Sequence, residues 1–209
     1  MVTQNPIRVV IVGGGFAGLQ IIKKLAGNSR FQVTLVDRNN YPFFPPLLYQ
    51  VSSAFIEPSN ISYPFRRLFQ DKANLRFQMG ELLQVHPEQQ LIETTTGRLS
   101  YDYLVLGLGT ETNYFGMENI RTHALPMKTI DEALHLRNHI LLSMEEAVRQ
   151  TDTAIRDRYL NIVIAGGGPT GGGLAGELAE PGRYIAAKEY PGIPDFGRHI
   201  YLVDAGPVL

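Results

Sequence analysis

Short apolar runs, each followed by a break, set the pattern of this chain from its beginning. The run Ile7–Val12 leads through glycines into residues 16–26, whose apolar side chains recur at helical spacing. After a polar break, residues 31–36 form a second apolar run, which Asp37 closes. This order of strand-like, helical and strand-like patterns predicts a β–α–β unit.

The same pattern returns near the end of the sequence. Residues 160–165 are apolar and lead into a second group of glycines, and residues 199–203 are the next apolar run, closed by Asp204. Residues 181–198 make the connection between them longer than in the first copy. The chain therefore predicts two β–α–β units of the same design.

Both turns carry glycines at the spacing Gly-x-Gly-x-x-Gly, starting at Gly13 and at Gly166. One such turn is a weak signal, but two with the same lead-in are much less frequent by chance. The backbone of this turn can approach a pyrophosphate, and the helix that follows supplies N–H donors and a favourable dipole. The predicted binding residues are Gly13, Gly14, Gly15, Phe16, Ala17 and Gly18 in the first turn and Gly166, Gly168, Pro169, Thr170 and Gly171 in the second.

The acids that close the second strands suit a ribose hydroxyl. Asp37 stands where this fingerprint expects such an acid, and Asp204 repeats the arrangement. The alternative for Asp37 is a capping or turn residue. Two dinucleotides side by side would indicate electron transfer between them.

The segment between the first unit and the middle of the chain is rich in proline and aromatic residues. Residues 41–50 hold three prolines and four aromatic side chains, which should prevent a regular helix or a central strand. The segment is either a packed loop at the sheet edge or a rigid wall against a flat ring system. Residues 62–69 predict a short helix with solvated arginines.

Short strands dominate the middle of the chain. Leu75–Met79, residues 82–85 and residues 91–95 predict a β-meander, and residues 101–106 read as a buried strand. Gly109 follows that strand, where it would allow a second backbone approach to the first dinucleotide. A plain turn at the strand end is the alternative.

A long helix precedes the second unit. Thr129 and Glu132 form a capping-box pattern, and the apolar stripe continues to about Gln150. His135 and His139 lie one turn apart, but no third ligand stands near them in sequence, so we predict a solvated pair and no metal site. The polar residues 151–158 predict a linker.

The composition of the chain limits the ligands and the redox groups that it can use. The 209 residues are 44% hydrophobic and 19% charged, which is ordinary for a globular protein. The net charge of −1 provides no excess of positive charge for binding nucleic acid. No apolar run has the length of a membrane span and no signal-peptide pattern is present, so we expect a cytoplasmic protein. The chain has no cysteine, which excludes thiol relays, iron–sulfur ligation and cysteinyl zinc. Redox chemistry would therefore need a bound organic cofactor.

Several longer segments carry a resemblance to a known family. They are residues 33–41, 46–51, 57–66, 101–105, 112–116 and 128–133. In these segments the chain resembles flavoproteins with two dinucleotide-binding domains, and among them type II NADH dehydrogenase, the single-subunit NADH:quinone oxidoreductase. The resemblance covers nearly the whole chain but only the first half of such an enzyme, so we expect a fragment.

The resemblance implies an α/β fold. A Rossmann-like FAD-binding domain with a β-meander would be followed by the first half of a second Rossmann-like domain that binds NADH. The expected boundaries are residues 1–118 for the FAD-binding domain, 119–158 for a connecting segment with the long helix, and 159–209 for the incomplete NADH-binding domain.

The resemblance also implies FAD and NADH as cofactors and a quinone as the electron acceptor. FAD would use the first turn and Asp37, and NADH the second turn and Asp204, whose charge would repel the 2′-phosphate of NADPH. The remaining implied FAD contacts are Arg38, Asn39, Leu82 and Gly109 for the nucleotide and Pro46, Tyr49 and Gln50 for the flavin. No catalytic side chain is assigned, since the protein mainly positions the two cofactors.

One position departs from the family. The second fingerprint of the family continues Gly-Val-Glu, whereas Gly171 is followed here by Gly172 and Gly173. The missing acid favours one alternative function, a non-catalytic FAD-binding module or inactive remnant. A second alternative, an NADH-dependent reductase of a ferredoxin or another small acceptor, stays open because the half of the enzyme that would decide the acceptor is not in this sequence. We expect contact with the inner membrane face only through a C-terminal part not contained in this sequence. The resemblance leaves a homodimer open.

Overall fold

The computed structural model describes residues 5–190, 193 and 200–206, apart from the side chains of 180–187. It contains two compact units, the first formed by Met1–Phe43 and Ile61–Glu111, the second by Phe44–Asn60 and Thr112–Leu209. The predicted domain boundaries remain a prediction. They differ from these units chiefly in residues 44–60, which the structure groups with the second half of the chain.

The helices and strands follow each other in mixed order along the described chain. They are β1 Ile7–Val12, α1 Phe16–Leu25, β2 Phe31–Asp37, α2 Leu48–Ser52, α3 Phe65–Leu68, β3 Leu75–Met79, β4 Leu82–His86, β5 Leu91–Thr94, β6 Gly97–Ser100, β7 Tyr103–Leu106, α4 Glu118–His123, α5 Ile130–Arg149, α6 Thr153–Leu160, β8 Ile162–Ala165, α7 Pro169–Glu189 and β9 Ile200–Val203. The predicted mixed α/β fold is confirmed.

The first unit is built on a parallel sheet with strand order β3-β2-β1-β7. Its central strands β1 and β2 are mostly apolar because both faces are covered. On one face, Ile11 and Leu35 pack with Ile22 of α1 and with Phe65. On the other, residues of β1 and β2 pack against the antiparallel sheet β4-β5-β6.

The prediction for residues 75–95 was wrong in one respect. Leu75–Met79 is not part of the meander but forms β3, which pairs in parallel with β2 in the main sheet. Leu75 is buried in the core there. The third meander strand is instead Gly97–Ser100, which pairs with Leu91–Thr94.

The second unit combines helices with the short parallel pair β8-β9. The capping box that opens α5 is confirmed, since Glu132 N donates to Thr129 Oγ1 at 3.2 Å and Thr129 N donates to Glu132 Oε2 at 3.0 Å. The predicted linker is wrong: residues 153–160 form α6. Asp152 caps this helix by accepting from the backbone N–H of Ala154 at 2.8 Å, which outweighs the polar composition.

The proline-rich segment is more regular than predicted. Pro45–Leu47 forms a 3-10 turn that leads directly into α2, and a second 3-10 turn covers Pro58–Asn60. Leu48 and Val51 of α2 are buried, and this helix packs on α5 and α7. In the part of the chain described, no helix combines the length and the apolar character needed to cross a membrane.

Candidate functional site

Gly13 opens the first glycine turn in a backbone conformation that other residues rarely adopt. Its φ is +102°, and its N–H donates to the carbonyl of Val36 at 2.8 Å. A Cβ at this position would overlap the carbonyl oxygen of Gly107, just after β7. The turn is therefore fixed between β2 and β7 and requires glycine both for its φ and for its space.

The other two fingerprint glycines have different purposes. A Cβ on Gly18 would overlap the carbonyl oxygen of Gly13, so glycine lets α1 lie directly on the turn. A Cβ on Gly15 would meet nothing within 4 Å. Gly15 is the N-cap of α1, and the space beside it lies at the positive end of the helix dipole. This open, side-chain-free helix start fits a pyrophosphate group.

Asp37 stands at the end of β2 and faces the turn. Its Oδ2 accepts from Gly14 N at 2.6 Å, and its Oδ1 accepts from Asn39 N at 2.8 Å. The side chain is half-buried. A carboxylate has about four acceptor positions, so two backbone bonds leave capacity for the hydroxyl groups of a ribose.

The second turn repeats the first closely. Gly166 has a φ of +111°, and its N–H donates to Val203 O at 2.8 Å. A Cβ on Gly171 would overlap Gly166 O, as one on Gly18 would overlap Gly13 O. Gly172 N donates to Gly168 O at 2.9 Å, which places Gly168 at the position that Gly15 holds before α1. The two turns therefore offer a ligand the same backbone surface.

Asp204 holds the place of Asp37 in this second copy. Its Oδ2 accepts from Gly167 N at 2.6 Å and its Oδ1 from Gly206 N at 2.7 Å. The backbone hydrogen bond from Gly167, followed by that from Gly206, lowers the pKa of Asp204 below its ordinary value. The side chain is exposed and stays ionised at neutral pH.

The remaining predicted residues are divided between the two units. In the first unit, Phe16 and Ala17 are exposed at the start of α1, Arg38 is exposed after β2, and Gly109 has a φ of +75° with open space beside it. Leu82 is half-buried, and its side chain packs into the meander core. In the second unit, Pro46, Pro169 and Thr170 are exposed, whereas Tyr49 and Gln50 are half-buried.

Two residues near the turns were missed by sequence reasoning. The buried ring of Phe65 lies against Gly14, where it would overlap any Cβ. Glu177 of α7 accepts a hydrogen bond from Gln50 Nε2 at 3.2 Å. No local pattern marks Phe65, and the only signal for Glu177 was its spacing of one helical turn from Gly173.

Comparisons with known proteins agree with this geometry. The chain is 34% identical over 206 residues to type II NADH:quinone oxidoreductase NdhA of Mycobacterium tuberculosis, with 97% of this chain and 44% of that protein covered. It is 28% identical over 212 residues to the type II NADH:quinone oxidoreductase of Staphylococcus aureus, with coverage of 99% and 51%. The chain thus spans about half the length of the curated relatives it matches.

A solved structure shows the same fold. NDH2 from Plasmodium falciparum in complex with NADH matches with a TM-score of 0.82 and 25% identity, over 96% of this chain and 42% of that one. The predicted Rossmann-like fold and the resemblance to type II NADH dehydrogenases are confirmed. Residues 7–209 match the family described as pyridine nucleotide-disulphide oxidoreductase. The chain belongs to the pyridine nucleotide-disulphide oxidoreductase family.

Proposed function

We propose that the first turn binds FAD, that the second binds NADH, and that the protein passes hydride from NADH to FAD and electrons on to a quinone. The observation that carries this proposal is the duplication of one turn geometry. Gly13 and Gly166 share their φ region, and Asp37 and Asp204 hold equivalent glycine N–H groups at 2.6 Å. One chain thus presents two surfaces suited to pyrophosphate and ribose.

In the first unit, the residues of the turn bind and orient FAD. The backbone between Gly13 and Gly18 would hold the FAD pyrophosphate, with Asp37 on the adenosine ribose. Arg38, Asn39, Leu82 and Gly109 would contribute contacts from the same unit. When bound, FAD supplies an isoalloxazine ring that accepts a hydride and releases electrons to an acceptor.

In the second unit, Asp204 decides which nicotinamide dinucleotide fits. Its pKa is lowered by backbone hydrogen bonds, so it remains charged. An ionised carboxylate accepts from a ribose 2′-OH but repels a 2′-phosphate. NADH is therefore the proposed ligand rather than NADPH. Gly166 and Gly168 leave the backbone open to its pyrophosphate, and Gly171 lets α7 lie directly on the turn.

A quinone is the proposed electron acceptor for two reasons. The chain has no cysteine, so the thiol chemistry in the family description cannot reside in these 209 residues. Two relatives, 34% and 32% identical to this chain, are named type II NADH:quinone oxidoreductases. A quinone acceptor would bring the protein to the membrane surface, and we include this peripheral location in the proposal. The homodimer stays a prediction.

A second candidate function is a non-catalytic FAD-binding module. The observation that favours it is Gly173, which offers no side chain where the family has an acid, beside the ring of Tyr49. The visible spectrum of the purified chain, recorded without oxygen before and after NADH, separates the two. Flavin absorbance that NADH bleaches supports the enzyme, whereas flavin absorbance that NADH leaves unchanged supports the module. Reoxidation by a water-soluble quinone, compared with a ferredoxin, then tests the acceptor.

A further inference from the structure

A single peptide group connects the turn between β5 and β6 to the end of β2. Thr96 Oγ1, in that turn, donates to Met79 O at 3.0 Å, and Gly80 N donates to Asp37 O at 2.9 Å. Met79 O and Gly80 N belong to the same planar peptide, so the two hydrogen bonds fix its orientation from opposite sides. The hydroxyl of Thr96 is therefore linked to the main chain of Asp37 through one rigid group.

Gln78 determines the direction of the Thr96 hydroxyl. Its Nε2 donates to Thr96 Oγ1 at 3.1 Å and to Thr94 Oγ1 at 3.4 Å. A hydroxyl carries one hydrogen, and Thr94 donates its hydrogen to Gly97 O at 2.7 Å. Because Thr96 Oγ1 accepts from Gln78, its own hydrogen is available for Met79 O. The hydrogen bonds thus run in one direction, and bonds in such a chain strengthen one another.

The contact between the turn and Gly80 is close on both sides. A Cβ on Gly80 would lie 2.6 Å from Thr96 Oγ1 and 3.3 Å from Thr95 Oγ1. After Gly80, Glu81 N donates to Thr95 Oγ1 at 3.0 Å, and Thr95 N donates to Glu81 O at 3.0 Å. The two threonines therefore hold the backbone where the chain passes from β3 to β4.

This contact lies at the carboxyl edge of the main sheet, where ligands of parallel sheets bind. Asp37 and Met79 are the last residues of β2 and β3 and are paired in register. Gly14, which follows β1, donates to the Asp37 carboxylate at 2.6 Å. Asp37 is thus held by its side chain through Gly14 and by its carbonyl through Gly80.

We propose that Thr96 is a positioning residue for Asp37, and that Gln78 orients the Thr96 hydroxyl for this purpose. Thr96 supports the main chain of Asp37, so its effect reaches the adenosine ribose of FAD only through the Asp37 carboxylate. The inference rests on the proposed binding of FAD at the first turn. It adds two residues from outside the glycine turn, on β3 and in the meander, to the determinants of FAD affinity.

Two flavin dinucleotides that differ only in the adenosine ribose provide the test. One is FAD, and the other contains 2′,3′-dideoxyadenosine, which lacks the hydroxyl groups that Asp37 would bind. Their dissociation constants are measured by calorimetry on the flavin-free full chain, where FAD should bind more tightly by about tenfold or more. Thr96→Val should weaken FAD binding by roughly threefold to tenfold and change binding of the dideoxy ligand by less than about twofold.

Two further variants test how Thr96 acts. Thr96→Ser keeps the hydroxyl and should bind FAD within about twofold of the parent. In an Asp37→Ala background, Thr96→Val should cause no further loss of FAD affinity, because the residue through which it acts is gone. A Thr96→Ser variant as weak as Thr96→Val, or additive losses with Asp37→Ala, would overturn the positioning role.

Thr122→Val is the matched control. Thr122 is also exposed, and its Oγ1 donates to a backbone carbonyl, Glu118 O, at 2.9 Å, but it lies on α4 in the second unit. This variant loses the same kind of bond and should bind both flavin dinucleotides like the parent. An equal loss of FAD affinity in Thr122→Val would assign the effect to general destabilisation and overturn the inference.

The outcomes separate the inference from the function on which it rests. A parent chain that binds neither dinucleotide overturns the proposed FAD site, and a parent that binds both equally overturns the ribose role of Asp37; the inference falls with either. A parent that prefers FAD, with a Thr96→Val variant that is unchanged or loses affinity for both ligands equally, overturns only the role of Thr96.

Discussion

Asp204 accepts a hydrogen bond of 2.6 Å from the backbone N–H of Gly167, which keeps its carboxylate charged at the mouth of the second turn. We therefore expect NADH to be used in preference to NADPH. Asp204→Ala removes the repulsion and should tighten NADPH binding by roughly fivefold to tenfold while it weakens NADH binding. The measurement is the ratio of NADH to NADPH dissociation constants before and after the change.

Asp37→Ala is the control for this test, because Asp37 occupies the equivalent place in the first turn. It should lower FAD retention and leave the ratio for the two nicotinamide dinucleotides unaltered. A parent protein that already prefers NADPH would contradict the role given to Asp204.

Gly15→Val should remove FAD without unfolding the protein. Position 15 has an ordinary φ of −74° and open space beside it, so the fold tolerates a side chain there, but that side chain fills the place of the pyrophosphate. We expect flavin retention to fall by about tenfold or more, with a loss of stability of about 1 kcal/mol from the poorer N-cap. Flavin absorbance per protein and thermal unfolding are the measurements.

Gly168→Val is the matched variant at the second turn, where a Cβ also has open space. It should retain flavin and lose NAD⁺ binding. Yellow protein from Gly15→Val, with full flavin content, would be incompatible with FAD at the first turn.

Glycines at the start of α7 should differ sharply in their response to alanine. A methyl group added at Gly172 would have no neighbour within 4 Å, and one added at Gly173 would make an ordinary 3.6 Å contact with Tyr49. Each change to alanine should stabilise the protein by about 0.5–1 kcal/mol, since glycine costs entropy within a helix. Gly171→Ala should instead destabilise by about 1–3 kcal/mol because its methyl overlaps Gly166 O.

Chemical denaturation of the three variants gives these free energies of unfolding directly. Stabilisation by Gly171→Ala would show that α7 does not lie on the turn as the structure has it. A loss of stability in Gly172→Ala would show that this part of α7 is not helical.

The Arg8–Asp102 pair predicts a pH-dependent stability. Asp102 accepts from Arg8 Nη2 at 2.8 Å and from Arg8 N at 2.7 Å, and these bonds lower the pKa of Asp102, the side-chain bond most. A lowered pKa means that the stabilisation is complete above the unfolded value, near 3.9, and is lost as the pH falls through the folded pKa. The melting temperature of Asp102→Asn should therefore lie below that of the parent at pH 7.

The difference in melting temperature between Asp102→Asn and the parent should shrink as the pH falls below about 4. Arg8→Gln should show the same convergence, because it removes the guanidinium bond that lowers the pKa of Asp102 most. A difference in melting temperature that stays constant down to pH 2 would contradict the linkage.

Asn74, directly before β3, should be sensitive to substitution because its side chain holds the connection between α1 and β2. Its Nδ2 lies 2.9 Å from Leu25 O and 3.2 Å from Phe31 O, and its Oδ1 accepts from Gly27 N at 2.9 Å. Asn74→Ala should lower the free energy of unfolding by about 1–3 kcal/mol because it leaves these backbone groups without a partner. Asn28→Ala is the milder control, because the Oδ1 atom of Asn28 accepts a hydrogen bond from Arg30 N at 3.1 Å and its loss leaves a single backbone group without this partner.

Local rules made part of this fold predictable. The glycine turns follow from the close packing of Gly18 on Gly13 O and of Gly171 on Gly166 O, and the capping box follows from Thr129 and Glu132 alone. Each depends on residues that are neighbours in sequence. The turn geometry could therefore be predicted well before any partner strand was known.

Contacts between residues far apart in the chain could not be predicted from the sequence. Leu75–Met79 has the pattern of a meander strand, and only its pairing with β2 assigns it to the main sheet. The link between Gln50 and Glu177 joins positions far apart in the chain. Even α6 was missed, because its polar composition hid a helix that one capping residue, Asp152, stabilises.

Residues 44–60 belong to the second unit although they lie within the sequence of the first. No single cut in the chain therefore separates the two units. A gene divided after Glu111 would leave α2 on the first product, although Leu48 and Val51 are buried against helices of the second. The first product would then expose this apolar helix, and the second would lack part of its core. A workable division needs either two cuts, around Phe44 and Asn60, or a rearranged gene that carries residues 44–60 together with 112–209.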